Sequence, residues 1–496
     1  MALADYYGRA ALAAVQVLEG FDEDRFLERL SSTPVGIAFD EKAIGPQGEA
    51  LLDLIVRLLS RLYPAVAILG EGELLDRYRS LARAINPAIE LPTKADIGIS
   101  VGRLREPFAT TIYAGANGWD AMIDDRKPQP LGQADNPLGA GAAACLASAG
   151  LFRTVFGLGP LDRGVRFSTL VQDRVVTPIA APRRRWHLDE DAVLFGVGAI
   201  GNAAAWALER SALQGRLHLV DAEAVDLGNL QRYVLCNRDD VGVAKVELPG
   251  RDDGGRGLEL VRHSATMQDF LADEGYVWGN FLLALDSAAD RRAAQAALPA
   301  WVANGWTQPG DLGCSVHPDF CDEGACVACL YLPEGPSPNE DEVVTQALGV
   351  PELQMQVRTL LHTAAPVERG LLTAIAEARG IPLARLLPFE GRPIRELYVE
   401  GFCGGAVVAI DVASPTPREM HVPLAHQSAL AGVLLAAALI RRALGADPPS
   451  TRKTQIDLLS PLGTNLAQPL LARGDDRCIC EDPDFLAAFE LKYNRS

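Results

Sequence analysis

The stretch "LFGVGAIGNAAAWALE", residues 194–209, runs from an apolar segment through a glycine loop into an alanine-rich segment. Gly196, Gly198 and Gly201, with Ala199 and Ile200 between them, would let backbone amides approach a phosphate at the amino end of a helix. Such a motif arises by chance in a chain with 46 glycines, so its surroundings decide its meaning. "AVLF" before it reads as a strand. "RLHLVD" after it reads as a second strand ending at Asp221, twenty positions past Gly201, where a carboxylate can accept the ribose hydroxyls. A dehydrogenase would satisfy this much. Directly beyond lie Asn229, Arg232 and Lys245, cationic and polar groups suited to a triphosphate and not needed by NAD. Asp286, in "FLLALDSAADRR", follows a further apolar strand and could bind magnesium where strand ends converge.

Four of the nine cysteines form two tight pairs, Cys326 with Cys329 and Cys478 with Cys480. Together they supply the four thiolates of a tetrahedral structural zinc. A rival set takes Cys314, Cys321, Cys326 and Cys329, all within sixteen positions. Cys145 and Cys236 read as small buried residues.

The elements that must position these groups alternate in an α/β pattern. Residues 46–63 predict a helix, "YPAVAILGEGELLDRYRSLARAINPAIEL" a strand, turn, helix and strand, and "ADIGISVG" another strand. "NPLGAGAAACLASAGLFRTVFG" predicts a helix of small residues that can pack closely. Residues 1–165 therefore form one domain and 166–185 a linker. A second α/β unit spans 186–335, where "PEGPSPNEDE" breaks the pattern, an insert spans 336–418, and a buried helix and polar tail fill 419–496. The insert is expected to hold helices such as "PVERGLLTAIAEARG" and strands of its own.

The net charge of -18 and pI near 4.9 leave no broad cationic face for nucleic acid or an anionic membrane, although Arg183 to Arg185 form a local basic patch. No apolar run of eighteen residues and no basic-then-apolar leader is evident, so the expected compartment is the cytoplasm.

In the order of its motifs, "GVGAIG", "VDAEAVDLGNLQR", "VGVAK" and "LDSAADRR", the chain resembles the ThiF/MoeB/HesA adenylation family, to which ubiquitin-activating enzymes belong. It departs at Glu223, where aspartate is usual, at Gly228, where serine is common, at Tyr233, where glutamine often follows the arginine, and in the C-x-C spacing of Cys478 and Cys480. The resemblance implies MgATP-dependent adenylation of the C-terminal glycine of a ubiquitin-like protein. Asp221 would bind ribose, Asn229, Arg232 and Lys245 the phosphates, and Asp286 the magnesium.

The first half keeps a similar outline, but its turn at Gly70 to Gly72 lacks the third glycine, and no Asn-Leu-x-Arg follows. Two readings stand, an inactive adenylation-like copy and an unrelated α/β domain. The fold class expected is α/β, with two Rossmann-like adenylation-type domains, the first degenerate, plus an inserted catalytic-cysteine domain. Within the insert, Cys403 in "RELYVEGFCGGAVVAIDV" falls between two strand-like runs, and Gly401, Gly404 and Gly405 leave room for an incoming backbone. The resemblance makes it the thiol that takes the modifier as a thioester before a conjugating enzyme receives it. A sulfur-transfer or peptide-modifying adenylyltransferase that stops at the acyl adenylate is the alternative. Alanine- and arginine-rich usage points to a GC-rich bacterial genome, and the architecture is similar to bacterial ubiquitin-like conjugation systems linked to antiviral defence.

Overall fold

The structure, a computed structural model, describes residues 23–179, 186–251, 257–308, 310–321, 324–332, 340–403, 423–448, 450–472 and 477–493. The chain divides into two compact units, Met1–Leu332 with Val422–Ser496, and Pro333–His421.

The larger unit holds two sheets. In the first, β1 (Val35–Phe39), β2 (Val66–Leu69), β3 (Ile97–Val101), β4 (Thr110–Asn117), β5 (Asp120–Asp124), β6 (Val165–Ser168) and β7 (Asp173–Arg174) lie in the order β2-β1-β3-β4-β5-β6-β7. The first four pair in parallel and the rest antiparallel. In the second, β8 (Ala192–Phe195), β9 (Gly215–Val220), β10 (Leu258–His263), β11 (Asn280–Leu283), β12 (Trp301–Gln308), β13 (Asp311–His317), β14 (Arg452–Ile456) and β15 (Ala467–Pro469) lie in the order β10-β9-β8-β11-β12-β13-β14-β15. Without the edge strand β10, the two orders are the same. The central parallel strands β1, β3, β8 and β11 are wholly buried and mostly apolar, as strands covered on both faces must be.

The helices repeat the correspondence. After α1 (Glu23–Ser32), α2 (Pro46–Leu62) follows β1 as α5 (Ala199–Glu209) follows β8. After α3 (Glu73–Ile85), α4 (Leu138–Phe156) sits between β5 and β6, as α14 (Ala425–Ala443) sits between β13 and β14. Helices α2 and α4 pack together, α5 packs on α14, and α4 packs on α14 across the middle. The first half is thus a second Rossmann-like copy joined to the other about its own helices. Helix α4 is also long and apolar enough to cross a membrane, and it is buried here in the core.

Three expectations change. The strand matching the glycine-loop strand β8 is β1, because β1 pairs with both β2 and β3 in the centre of the sheet. The degenerate loop is therefore Phe39–Pro46, and Gly70 to Gly72 corresponds to the end of β9. Strands β6 and β7 keep residues as far as Arg174 in the first sheet, past the boundary at 165, because they hydrogen-bond to its antiparallel edge. "NPAIEL" contributes only an isolated bridge, Glu90 to Ala65, and not a strand.

The smaller unit is helical among its described residues, with one isolated bridge from Pro366 to Pro393 and no strand. It comprises α9 (Glu340–Leu348), α10 (Gln354–Thr363), α11 (Arg369–Arg379), α12 (Leu383–Leu386), α13 (Ile394–Glu396) and a π-helix at Leu397–Cys403. The run expected to be a strand before Cys403 is that π-helix. Its Leu397 and Phe402 join Leu348, Leu372 and Ile375 in a separate small core, and burial there outweighs the β-propensity of the local sequence.

Small residues set the closeness of the helix contacts in the larger unit. A Cβ on Gly432 of α14 would lie 2.4 Å from the Ile200 carbonyl oxygen and 2.7 Å from the Ala204 nitrogen of α5. Backbone cannot yield there as a side chain can. Gly432→Val is expected to lower unfolding free energy by about 3 kcal/mol, measured as a lower denaturant midpoint. Gly370→Ala, in open space on α11, should stabilise its helix by less than about 1 kcal/mol.

Candidate active site and cysteine cluster

Strand β8 ends at Phe195, and the chain turns at Gly196 with a φ of 85°, a conformation that favours glycine. A Cβ at Gly196 would meet the Ala284 carbonyl at 2.7 Å, and one at Gly201 would meet the Gly196 carbonyl at 2.0 Å. These two glycines permit the loop to pass close to β11 and to its own helix. Gly198 differs. It caps the start of α5 with ordinary φ, and a Cβ there would touch only the Tyr233 hydroxyl, at 3.5 Å. Above Gly198 there is room for a ligand. Ala199 and Ile200 begin the helix, so the free amides of its first turn face that space.

Asp221 follows β9 and accepts hydrogen bonds from the Val197 amide at 2.8 Å and the Glu223 amide at 2.9 Å. Its carboxylate is thereby fixed to the glycine loop. Burial raises its pKa against the opposing pull of Lys245. Asn229 lies in the 3-10 helix Leu227–Gln231, where its side chain accepts the Asp226 amide at 2.9 Å. Arg232 follows that helix, with its guanidinium 5.8 Å from the centre of the Tyr233 ring. On the same ring, at 5.4 Å, stands the Lys245 ammonium, which also forms an ion pair with Glu223. Burial works against that charge, but Tyr233, Asp221 and Glu223 outweigh it and hold the lysine pKa above its usual range.

Asp286 comes two residues after Ala284, whose amide donates to the Phe195 carbonyl at 2.9 Å, and its side chain is exposed. It acts electrostatically on the buried Arg291. The residues after β8, β9 and β11 therefore gather at one end of the sheet. Glu223 and Tyr233, visible in the sequence only as departures from a pattern, prove to be the partners of Lys245.

At the other edge, Cys326 precedes α8 (Val327–Leu330) and Cys478 precedes the short turn before α15 (Pro483–Lys492). The sulfurs of Cys326, Cys329, Cys478 and Cys480 all lie within 4.8 Å of one another, with Cys326 to Cys478 at 3.5 Å and Cys329 to Cys480 at 3.4 Å. Tetrahedral thiolate coordination at about 2.3 Å sets sulfurs about 3.8 Å apart, so the cluster suits one metal ion. Cys314 is excluded from it. That residue is buried on β13, and burial pushes its thiol up to about 12. Cys321 is exposed and also outside the group. Gly401 and the backbone of Cys403 are described, while Gly404 and Gly405 lie outside the described residues.

The family model described as "ThiF family" matches residues 183–249, which carry the glycine loop, Asp221, Asn229, Arg232 and Lys245. Over 514 aligned residues the chain is 40% identical to protein y4jF of Sinorhizobium fredii, covering 100% of this chain and 98% of that one. The chain belongs to the ThiF family. It is an ATP-dependent adenylyltransferase of the ThiF type. A model described as "Prokaryotic E2 family C" matches residues 38–157 of the first half. The only cysteine of that segment, Cys145, is 0% exposed on α4, and burial pushes its pKa up, so no accessible thiol lies there. Among solved structures, Escherichia coli MccB with MccA-N7isoASN is 14% identical, covers 59% of this chain and 67% of its own, and gives a TM-score of 0.37. PaaA is likewise 14% identical, over 57% and 64% of the two chains, with a TM-score of 0.31.

A cleft of about 580 Å³ opens beside α2 and α3, with Glu49, Asp53 and Asp135 facing Arg57, Arg77 and Arg210 in its lining and no glycine-loop residue among them. Its charges already pair, Arg77 with Glu49 at 3.2 Å and Arg57 with Asp53 at 2.9 Å, so it offers no net charge for a polyphosphate. The glycine loop, unlike this cleft, presents the free backbone amides at the amino end of a helix. Gly198→Ala should fold normally yet weaken MgATP binding by about tenfold or more, because its methyl group enters the phosphate space. Gly201→Ala should lose binding and stability together. Calorimetric titration with thermal unfolding on the same samples separates the two.

Proposed function

We propose that this enzyme activates the C-terminal glycine carboxylate of a ubiquitin-like protein as an acyl adenylate. The observation that carries the proposal is the grouping of Asp221, Tyr233, Arg232 and Lys245 around the open space at Gly198. A carboxylate oxygen attacks the α-phosphorus of ATP, the bond to the β,γ-diphosphate breaks, and pyrophosphate leaves. Arg232 and Lys245 offset negative charge on the phosphate oxygens as it is redistributed, Asn229 supplies a neutral polar group, and Asp221 holds the ribose. Magnesium, which fits the exposed carboxylate of Asp286, would supply further charge neutralisation when bound. The four cysteines fit a structural zinc that joins the segment after β13 to the C-terminal tail.

In the second step the Cys403 thiolate attacks the acyl carbon, the bond to AMP breaks, and the modifier is held as a thioester for a conjugating enzyme. Its support is the separate folding of the insert around its own small core and the glycines in sequence beside Cys403. A peptide-modifying enzyme that stops at the adenylate is the second reading. It is favoured by the absence of an accessible thiol in residues 38–157 among the described residues.

With a glycine-ended modifier and MgATP, wild type should exchange pyrophosphate into ATP and form a thiol-sensitive adduct. Lys245→Met and Arg232→Met should lower exchange by about 10²–10³-fold. Cys403→Ala should keep exchange and lose the adduct. Exchange without any adduct in wild type would favour the second reading, and an adduct surviving in Cys403→Ala would move the thioester to another thiol, with the exposed Cys321 first to be examined. Elemental analysis should find about one zinc per chain, lost in Cys478→Ser and kept in Cys314→Ser.

A further inference from the structure

The backbone between Asn229 and Cys236 is gripped from two sides. On one side the active half's own α5 supplies Asn202, whose side-chain oxygen accepts the Leu235 amide at 2.6 Å. On the other, the first half reaches across with two arginines of α2. Arg61 donates to the carbonyls of Leu230 at 2.9 Å, Val234 at 3.0 Å and Cys236 at 2.6 Å. Arg57 donates to the Val234 carbonyl at 3.0 Å and, through its Nε, to Asp53 at 2.9 Å. Asp53 in turn accepts the Trp206 indole N–H at 2.8 Å, tying the pair back to α5.

Both arginines are buried, at 2% and 3% exposure. Three backbone carbonyls of this one segment accept from Arg61, so the guanidinium holds it at several points. The Leu230 carbonyl lies between Asn229 and Arg232 in sequence, and Arg232 donates its amide to Asn229 in the same turn, at 3.0 Å. Any shift at Leu230 therefore moves the two groups assigned to the phosphates.

We infer that Arg61, supported by Arg57 and Asp53, is a positioning residue for the adenylation reaction: the first half sets the orientation of Asn229 and Arg232 toward the triphosphate. The inference rests on the assignment of those two residues to ATP. It explains what a half without the glycine loop contributes. A planar guanidinium presents donors in a fixed fork to several carbonyls, whereas a lysine ammonium is a compact point charge that keeps the charge and loses the fork. The adenosine end of the site is held independently, since Asp221 is anchored by the Val197 amide and not by this segment.

That separation provides the test. The full chain is titrated calorimetrically with MgATP and with AMP, as wild type, Arg61→Lys, Arg61→Met and Arg57→Lys. The Arg61 variants should bind MgATP about tenfold or more weakly while AMP affinity stays within about twofold, and Arg57→Lys should show a smaller loss of the same selectivity. Hydrogen exchange should rise over residues 230–236 without a matching rise in β8. A parallel fall in ATP and AMP affinity, or no change in either, would overturn the inference, because a merely structural arginine moves both ligands together. If Arg61→Met does not fold, the lysine variants carry the same comparison. Wild type that fails to bind MgATP would instead overturn the nucleotide-site assignment itself.

Discussion

The close approach of α5 and α14 is the contact on which the larger unit depends. Glycine at 432 lets the α14 backbone lie against the first turn of α5, the turn that begins at the glycine loop. Alanines on both helices extend the contact, and α4 meets α14 in the same way from the other half. Helices this near exclude bulky side chains and gain dispersion contacts along their whole length, so their relative position is sharply defined. The glycine loop inherits that definition. It leads into a helix that is itself packed closely on α14.

Charged groups at the junction of the halves add direction to that packing. Asp53, Arg57, Trp206 and Arg210 form one buried cluster in which burial would raise the aspartate's pKa, but the two arginines and the indole outweigh it and hold it below the ordinary carboxylate range. Elsewhere Arg153 pairs with Asp162 at 2.6 Å and donates to the Leu458 carbonyl, joining α4 to the segment after β14. Buried pairs of this kind contribute little net stability over apolar packing, but an unmatched charge is costly, so they select one arrangement of the halves over others. The duplicated topology then has a division of labour. One copy carries the glycine loop with Asp221 and Lys245, and the other donates hydrogen bonds from Arg57 and Arg61 to the segment between Asn229 and Cys236.

The helical insert is a different case. Its core of Val344, Leu348, Leu372, Ile375 and Phe402 is small and separate from the main one. In sequence the insert interrupts the second copy between β13 and α14, a position from which chain can be added without disturbing either sheet.

By itself the sequence determined the glycine loop, the helix behind it, the strand ending at Asp221 and the four paired cysteines, because these are local features. Gly196, Gly198 and Gly201 act through backbone conformation and space within a few residues, and thiols two or three positions apart are already close. Only the tertiary structure decided which strand of the first half is central, because β1 and β2 look alike until their hydrogen-bonding partners are known. It also decided that Leu397–Cys403 is helical, since burial of Leu397 and Phe402 outweighs a strand-like composition. The partnership of Arg57 and Arg61 with Leu230, Val234 and Cys236 lay furthest from view. Two arginines on an apolar helix read as surface charge, and their acceptors are backbone carbonyls about 170 residues away, which have no side-chain identity to read.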